Sequence, residues 1–291
     1  MTAEKETIKL DAYFLFLIFP IFSFLISSLW AVMLLPVDVS PLTELFPDPG
    51  LGLIGGVFYA ILFVLIALLS AFIVYYLIEK ERGFVLKYML GFAIAFVVIV
   101  ILPLYASLIL SWLNLDPVTS QAVFMSFISL SIIVGLLSSY AVISSKADSA
   151  LRNIMMIIYS SIVSSFLALI IPTWILIFVL IGISIYDLYS VRKGPIKKVL
   201  QISEKKGGFD LKLYVNIGPW EIGIGDLVFY SVLIAHSLLF YGILIWVLSI
   251  ISLMLGLIIT LFVLSRKNIL PGLPIALFIG IIPLLAVYLF L

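Results

Sequence analysis

Ile222 to Leu264 reads IGIGDLVFYSVLIAHSLLFYGILIWVLSIISLMLGLIITLFVL, about 43 residues with no Lys or Arg and a single acid, Asp226. At ~1.5 Å per residue, an unbroken helix of that length would be twice the ~30 Å thickness of a bilayer's hydrocarbon core. The run therefore reads as two spans that turn back once, near His236–Gly242. The rest of the chain follows the same pattern. Of its 291 residues 65% are hydrophobic and 11% charged, against roughly half and about a quarter in ordinary soluble domains. A water-soluble core of this length could not hide so much apolar surface, so the fold class is an all-α polytopic membrane protein. The net charge of +1 excludes a strongly basic nucleic-acid binder, and the absence of cysteine excludes disulfides, thiolate metal sites and thiol nucleophiles.

Nine apolar segments can be marked outward from this run: Ala12–Leu35, Ile54–Ile78, Phe84–Leu113, Val118–Ile143, Leu151–Ile171, Thr173–Val191, Ile222–Ser237, Leu239–Leu264 and Gly272–Leu291. The first is long for a signal-peptide core and lacks a small-x-small cleavage site, so it reads as a retained span. Pro172, between spans five and six, cannot supply a helix-interior N–H and favours a boundary there. Basic residues test the count, because Lys and Arg near span ends favour the cytoplasmic side. With nine spans all 16 of them fall on one side: Lys5 and Lys9 before span one, Lys80, Arg82 and Lys87 around the second turn, Lys146 and Arg152 around the fourth, seven between spans six and seven, and Arg266 and Lys267 before span nine. The opposite loops hold Asp38, Glu44, Asp48 and Asp116 but no basic residue. The N-terminus is therefore expected in the cytoplasm and the C-terminus outside.

Three parts follow from this layout: a six-helix N-terminal part over 1–191, a cytoplasmic loop over 192–221, and a three-helix C-terminal part over 222–291. The basic portion of the loop, 192–206, is an orientation signal that also suits anionic lipid head groups. Beyond it, apolar residues at 209, 211, 213, 215 and 217 alternate with more polar ones, the period of a half-buried strand, which Gly218-Pro219 ends.

Asp187 and Asp226 are the two acids placed deep in apolar spans. An ionisable group in hydrocarbon costs at least ~2.5–3.5 kcal/mol, so each is by default a functional-site candidate. Asp187 lies 14 residues into span six from Thr173, and Asp226 lies 15 residues before Tyr241, about 21 and about 22 Å from the outer side. On sequential antiparallel helices the two can face each other. Two carboxyl groups a few ångströms apart tend to share one proton, the arrangement of an aspartic protease, in which an ionised Asp draws a proton from water while its protonated partner donates to the scissile carbonyl. Polar glue between helices, or an ion-binding site, would place the same residues together, and depth and pairing alone leave these readings open.

The motifs around the two acids narrow the choice. Tyr186-Asp187 in span six, Gly223-Ile224-Gly225-Asp226 in span seven and Pro271-Gly272-Leu273-Pro274 before span nine form the set YD, GxGD and PxLP. In this order, on these spans, the set resembles the presenilin and signal peptide peptidase family of intramembrane aspartyl proteases, as a prokaryotic-type homologue, and the nine-span topology extends the resemblance over essentially the whole chain. It implies that Asp187 and Asp226 are the catalytic pair of an enzyme that cleaves peptide bonds within transmembrane segments, such as remnant signal peptides. It also implies that Tyr186, Gly223, Gly225, Pro271, Gly272, Leu273 and Pro274 shape the site. Gly272 departs from the family's usual Ala in a PALP motif. No metal or other cofactor is expected, nor an obligatory partner subunit; the expected partners are transmembrane peptide substrates and the lipid bilayer, with no nucleic acid. The short loop between the catalytic spans looks more like the signal peptide peptidase branch than like presenilin. Minimal loops and the lack of a retention signal point to a prokaryotic plasma membrane.

The same residues have plainer physical readings. Gly223 and Gly225 leave room for a substrate backbone or for close helix packing. Pro271 and Pro274 free carbonyls or simply mark a helix start. His236 reads as an outer-side packing residue, and Ser160, Ser161, Ser164 and Ser165 as close helix packing rather than nucleophiles. Tyr230, one turn beyond Asp226, is placed to hydrogen-bond near it. Two rivals use the same acids: a prepilin-type peptidase, which also carries GxGD but on fewer spans with a differently placed first Asp, and a transporter or ion-leak channel coupling through the pair. Inverted repeats or broken mid-membrane helices would support a transporter, and no clear halves are visible.

Overall fold

A computed structural model describes residues 2–34, 53–144, 146–192, 214–217, 220–264 and 272–290. The elements in chain order are α1 (Thr2–Leu34), α2 (Leu53–Glu79), α3 (Gly83–Leu113), α4 (Pro117–Ile143), α5 (Ser149–Ile170), α6 (Thr173–Arg192), β1 (Tyr214–Ile217), β2 (Trp220–Gly223), α7 (Ile224–Leu264), α8 (Leu273–Gly280) and α9 (Ile282–Phe290). Long apolar runs become helices because helices satisfy their backbone groups within the segment, as hydrocarbon requires. Local chemistry sets their ends. Asp116 caps α4 by accepting from the Thr119 N–H at 3.0 Å, with Pro117 at the first helical position, and Asp148 caps α5 through Ser149. Hydrogen bonds from Thr119 hold the exposed Asp116 carboxyl below the usual carboxylate range.

Seven helices, α1 to α7, have the length and hydropathy to cross a membrane, and residues 273–289 form a shorter apolar segment. Large apolar side chains such as Phe58, Phe92, Leu136 and Leu244 point outward. That surface would be untenable in water and is what a lipid-facing helix presents.

The 41 residues of α7 are two antiparallel arms rather than one rod. Gly242 breaks the helix with φ 78° and ψ −178°, a region open essentially to glycine alone. The reversal shows in the side chains. Ser237 Oγ and Ser249 Oγ lie 3.1 Å apart, whereas twelve residues of straight helix would separate them by about 18 Å. Gly280 of α8 lies between the arms, where a Cβ would meet Leu233 at 3.1 Å and Leu253 at 3.2 Å.

The centre of the bundle is formed by α1, α5 and the first arm of α7. Serines of all three helices join there. Ser23 Oγ lies 3.0 Å from Ser160 Oγ and 2.8 Å from Ser231 Oγ, and Ser164 donates to Ser27 at 2.9 Å. Tyr105 of α3 joins through Ser165 at 2.6 Å and stacks on Trp30 at 5.1 Å between centroids. The span-five serines are packing residues, as their spacing implies, and they also carry interhelical hydrogen bonds.

His236 does more than fill space. Pro172 has no N–H, so the carbonyl of Ala168 four residues earlier loses its ordinary helical donor. His236 Nδ1 supplies one at 2.8 Å. Because that contact is to an acceptor, the proton sits on Nδ1, and Nε2 accepts from Thr173 Oγ1 at 2.9 Å. Tyr241 in turn donates to Thr173 at 3.1 Å. One imidazole thereby ties the α5–α6 break to the first arm of α7, just before the reversal.

The strand expectation over 209–217 is met at 214–217, while 209–213 lies outside the described residues. Its partner was not foreseen. Span seven was expected from Ile222, but Ile222 and Gly223 belong to β2, paired antiparallel with β1 in the register Tyr214↔Gly223, Val215↔Ile222, Asn216↔Glu221 and Ile217↔Trp220. Val215 and Ile222 are buried and Glu221 exposed, so strand alternation continues up to the helix start and overrides the apolar reading. The ribbon packs on α5 and α1.

Nothing lies within 4 Å of a Cβ built at Gly242, so replacing it isolates the backbone contribution. Gly242→Ala is expected to destabilise the protein by about 1–3 kcal/mol, read as a lowered thermal unfolding midpoint in detergent.

Candidate active site

The polypeptide reaches Asp226 through β2. Gly223 ends the strand, Ile224 opens α7, and Asp226 falls in the first turn of the helix. A Cβ at Gly223 would lie 3.6 Å from the Asp226 carboxyl carbon, so any side chain there would cover the acid, whereas Gly223 leaves that approach open. Gly225 is exposed, and a Cβ there would meet nothing within 4 Å.

Asp187 sits on α6, half-buried. Its Oδ2 accepts a hydrogen bond from the Leu273 N–H at 3.3 Å. That N–H belongs to the opening turn of α8, whose first donors have no intrahelical acceptor. The preceding residue, Gly272, offers no capping side chain. Asp187 therefore acts as a cap supplied from another helix, on the end of α8 that favours negative charge.

The other half of the same peptide unit is held by the helix of Asp226. Tyr230, buried and one turn beyond Asp226, donates from its hydroxyl to the Gly272 carbonyl at 2.9 Å. Asp226 itself lies against Gly272, so closely that an added Cβ would collide with its Oδ2. Gly272 thus lets the second carboxylate lie directly against the backbone, where an alanine methyl would require the Asp226 side chain to shift. The two acids flank the Gly272–Leu273 peptide.

The two acids were expected to be able to face each other from spans six and seven. The helices α6 and α7 touch little, and α8 packs on both. The N-terminus of α8 is the element on which the two carboxylates converge. Leu273 and Pro274 are buried there, and Pro271 lies outside the described residues. Tyr186 turns away from Asp187. Its hydroxyl reaches the Ala67 carbonyl of α2 at 3.4 Å, and its ring lines an apolar cavity of about 470 Å³ between α2 and α6 with Val64, Leu68, Ile181 and Ile185.

Sequence reasoning treated Arg152 only as an orientation signal. It is buried at the start of α5, with its guanidinium 5.7 Å from the centroid of the Tyr214 ring. Among the described residues its Nε and the Ser190 Oγ are the buried polar side-chain atoms without a hydrogen-bond partner. The cue was the pair Arg152-Asn153 opening the least uniformly apolar span.

The presenilin family model matches residues 219–291, the segment from β2 through Asp226 to the end of the chain. Presenilin-B of Dictyostelium discoideum is 32% identical over 119 residues, which cover 38% of this chain and 25% of that protein. The aligned segment is thus about a quarter of the relative's length. Among solved structures, a presenilin family intramembrane aspartate protease superposes with a TM-score of 0.57 at 18% identity, covering 93% of this chain and 98% of its own. The chain is thus similar to presenilins in sequence over its C-terminal part and to the solved intramembrane protease in fold over nearly its whole length.

Proposed function

We propose that this protein is an intramembrane aspartyl endopeptidase that hydrolyses peptide bonds within transmembrane segments, with Asp187 and Asp226 as its catalytic pair. The observation that carries the reading is their convergence on a single backbone peptide unit, Gly272–Leu273, in a chain whose C-terminal part matches the presenilin family. The chemistry needs only a water between the carboxyls. The ionised acid takes a proton from the water as its oxygen attacks the scissile carbonyl, and the protonated acid donates to the carbonyl oxygen. Collapse of the tetrahedral intermediate breaks the C–N bond as the proton taken from water passes to the departing nitrogen and the other acid regains its proton from the gem-diol. Tyr186 serves the site indirectly, by tying α6 to α2 beside the cavity. Single-span membrane segments such as remnant signal peptides are the substrates in this reading, and the chain acts without obligatory partner subunits.

The ribbon supplies a way to hold an unwound substrate. In a hairpin closed by two residues, Ile217 and Trp220 form a hydrogen-bonded pair, so alternate residues Tyr214 and Asn216 turn their backbone groups to the opposite edge. A substrate strand added there would satisfy backbone groups freed when its helix unwinds, as in β-augmentation.

We further propose that the chain crosses the bilayer nine times. The two arms of α7 would be the seventh and eighth crossings, the 272–290 segment the ninth, and the basic loops would face the cytoplasm of a prokaryotic cell.

Three outcomes follow. With a tagged transmembrane peptide, Asp187→Asn and Asp226→Asn should each lower turnover by about 10²–10⁴-fold; retained cleavage would remove the dyad, and ion flux lost without any cleavage by wild type would favour a channel. Asn216→Pro should lower kcat/KM by up to about tenfold, the worth of roughly one backbone hydrogen bond, and an unchanged value would exclude strand addition at β1. Because the chain contains no cysteine, single-cysteine labelling can read topology. A membrane-impermeant maleimide should modify Leu115→Cys in intact cells and Lys80→Cys only after permeabilisation.

A further inference from the structure

A trans peptide unit is planar, and its C=O and N–H point in opposite directions. No cis peptide bond occurs among the described residues. The Gly272–Leu273 unit is gripped at both ends: Tyr230 binds its oxygen from the helix of Asp226, and Asp187 binds its N–H from α6. The unit therefore works as a rigid spacer between the two acid-bearing helices, which otherwise touch little. Asp226 and Tyr230, four residues apart, share one face of α7, and both meet Gly272, where a built Cβ would lie 3.7 Å from the Tyr230 hydroxyl. The Tyr230 ring is fully packed, and its hydroxyl makes this one bond across to α8.

We propose that Tyr230 is a positioning residue that sets the separation of the two carboxylates through the Gly272–Leu273 peptide. The role rests on the aspartyl protease reading. Tyr230 makes no bond to either acid. It holds the Gly272 carbonyl, the rigid peptide then fixes where the Leu273 N–H lies, and that N–H fixes Asp187 against Asp226. Without the hydroxyl, α8 keeps its packing but loses its tether to the first arm of α7, and the spacing of the acids relaxes.

Tyr230→Phe preserves the ring and removes only the hydroxyl. With a tagged transmembrane peptide as substrate, kcat should fall about 10–100-fold, as for a misplacement of about 1 Å, while KM changes less than about threefold. The bell-shaped pH–rate profile should also narrow, because carboxyls held farther apart couple less strongly. A mere loss of folded protein would lower the profile without changing its width. Unchanged kcat, or a lower kcat with an unaltered profile, overturns the proposal. A structure of the wild type with a peptide isostere carrying a secondary hydroxyl at the scissile position gives a reading independent of the variant. Both bonds to the Gly272–Leu273 unit should persist there, and the absence of either also overturns it. A wild type that cleaves no transmembrane peptide removes the protease reading itself, whereas a cleaving wild type with an indifferent Tyr230→Phe removes only the positioning role.

Discussion

Hydrocarbon offers no hydrogen bonds, so every polar group carried into it must find its partner inside the protein. Most of the bundle's polar contacts answer that demand. Pro172 deprives the Ala168 carbonyl of a donor, and His236 supplies one from another helix. The serines of α1, α5 and α7 bond to one another. The opening turn of α8 carries a donor that no local side chain caps, and Asp187 accepts from it. The candidate site is thus built from the same need that holds the fold together, with a carboxylate as the acceptor.

The apparent excess of apolar surface and the small number of buried polar groups are two sides of one arrangement. Outward-facing Phe, Leu and Ile side chains cost nothing in lipid and give no specific association there, so helix packing must come from close contact and from internal hydrogen bonds. Gly256 illustrates the first, since an added Cβ would meet the Ala276 backbone of α8. Tyr230 illustrates the second by joining the first arm of α7 to the start of α8. Together these contacts place a short, broken C-terminal helix between two longer ones and bring a backbone peptide to the acids.

Much of this was legible in the sequence because membrane helices obey one-dimensional rules. Length and hydropathy mark the apolar runs, and a 43-residue run must turn; Gly242 at the end of the anticipated window is the residue able to adopt the required backbone. The two acids stood out because an ionisable group in such a run needs a reason. The ribbon was half legible. Alternation marked β1, but β2 is four residues of mixed character running straight into an apolar helix, and its strand identity comes from pairing with β1. The burial of Arg152 was not legible, because a basic residue near a span end serves orientation equally well whether or not it is buried.

Sequence by itself determined that the chain is a helical membrane bundle, roughly where its apolar runs lie, and that Asp187 and Asp226 are the acids set within them, because periodicity, length and charge act locally along the chain. Only the tertiary structure decided that the acids meet across the start of α8, that Tyr230 and Asp187 grip opposite ends of one peptide unit, and that Asp226 packs directly against Gly272. Those are distances between segments far apart in the chain, fixed by how the helices pack.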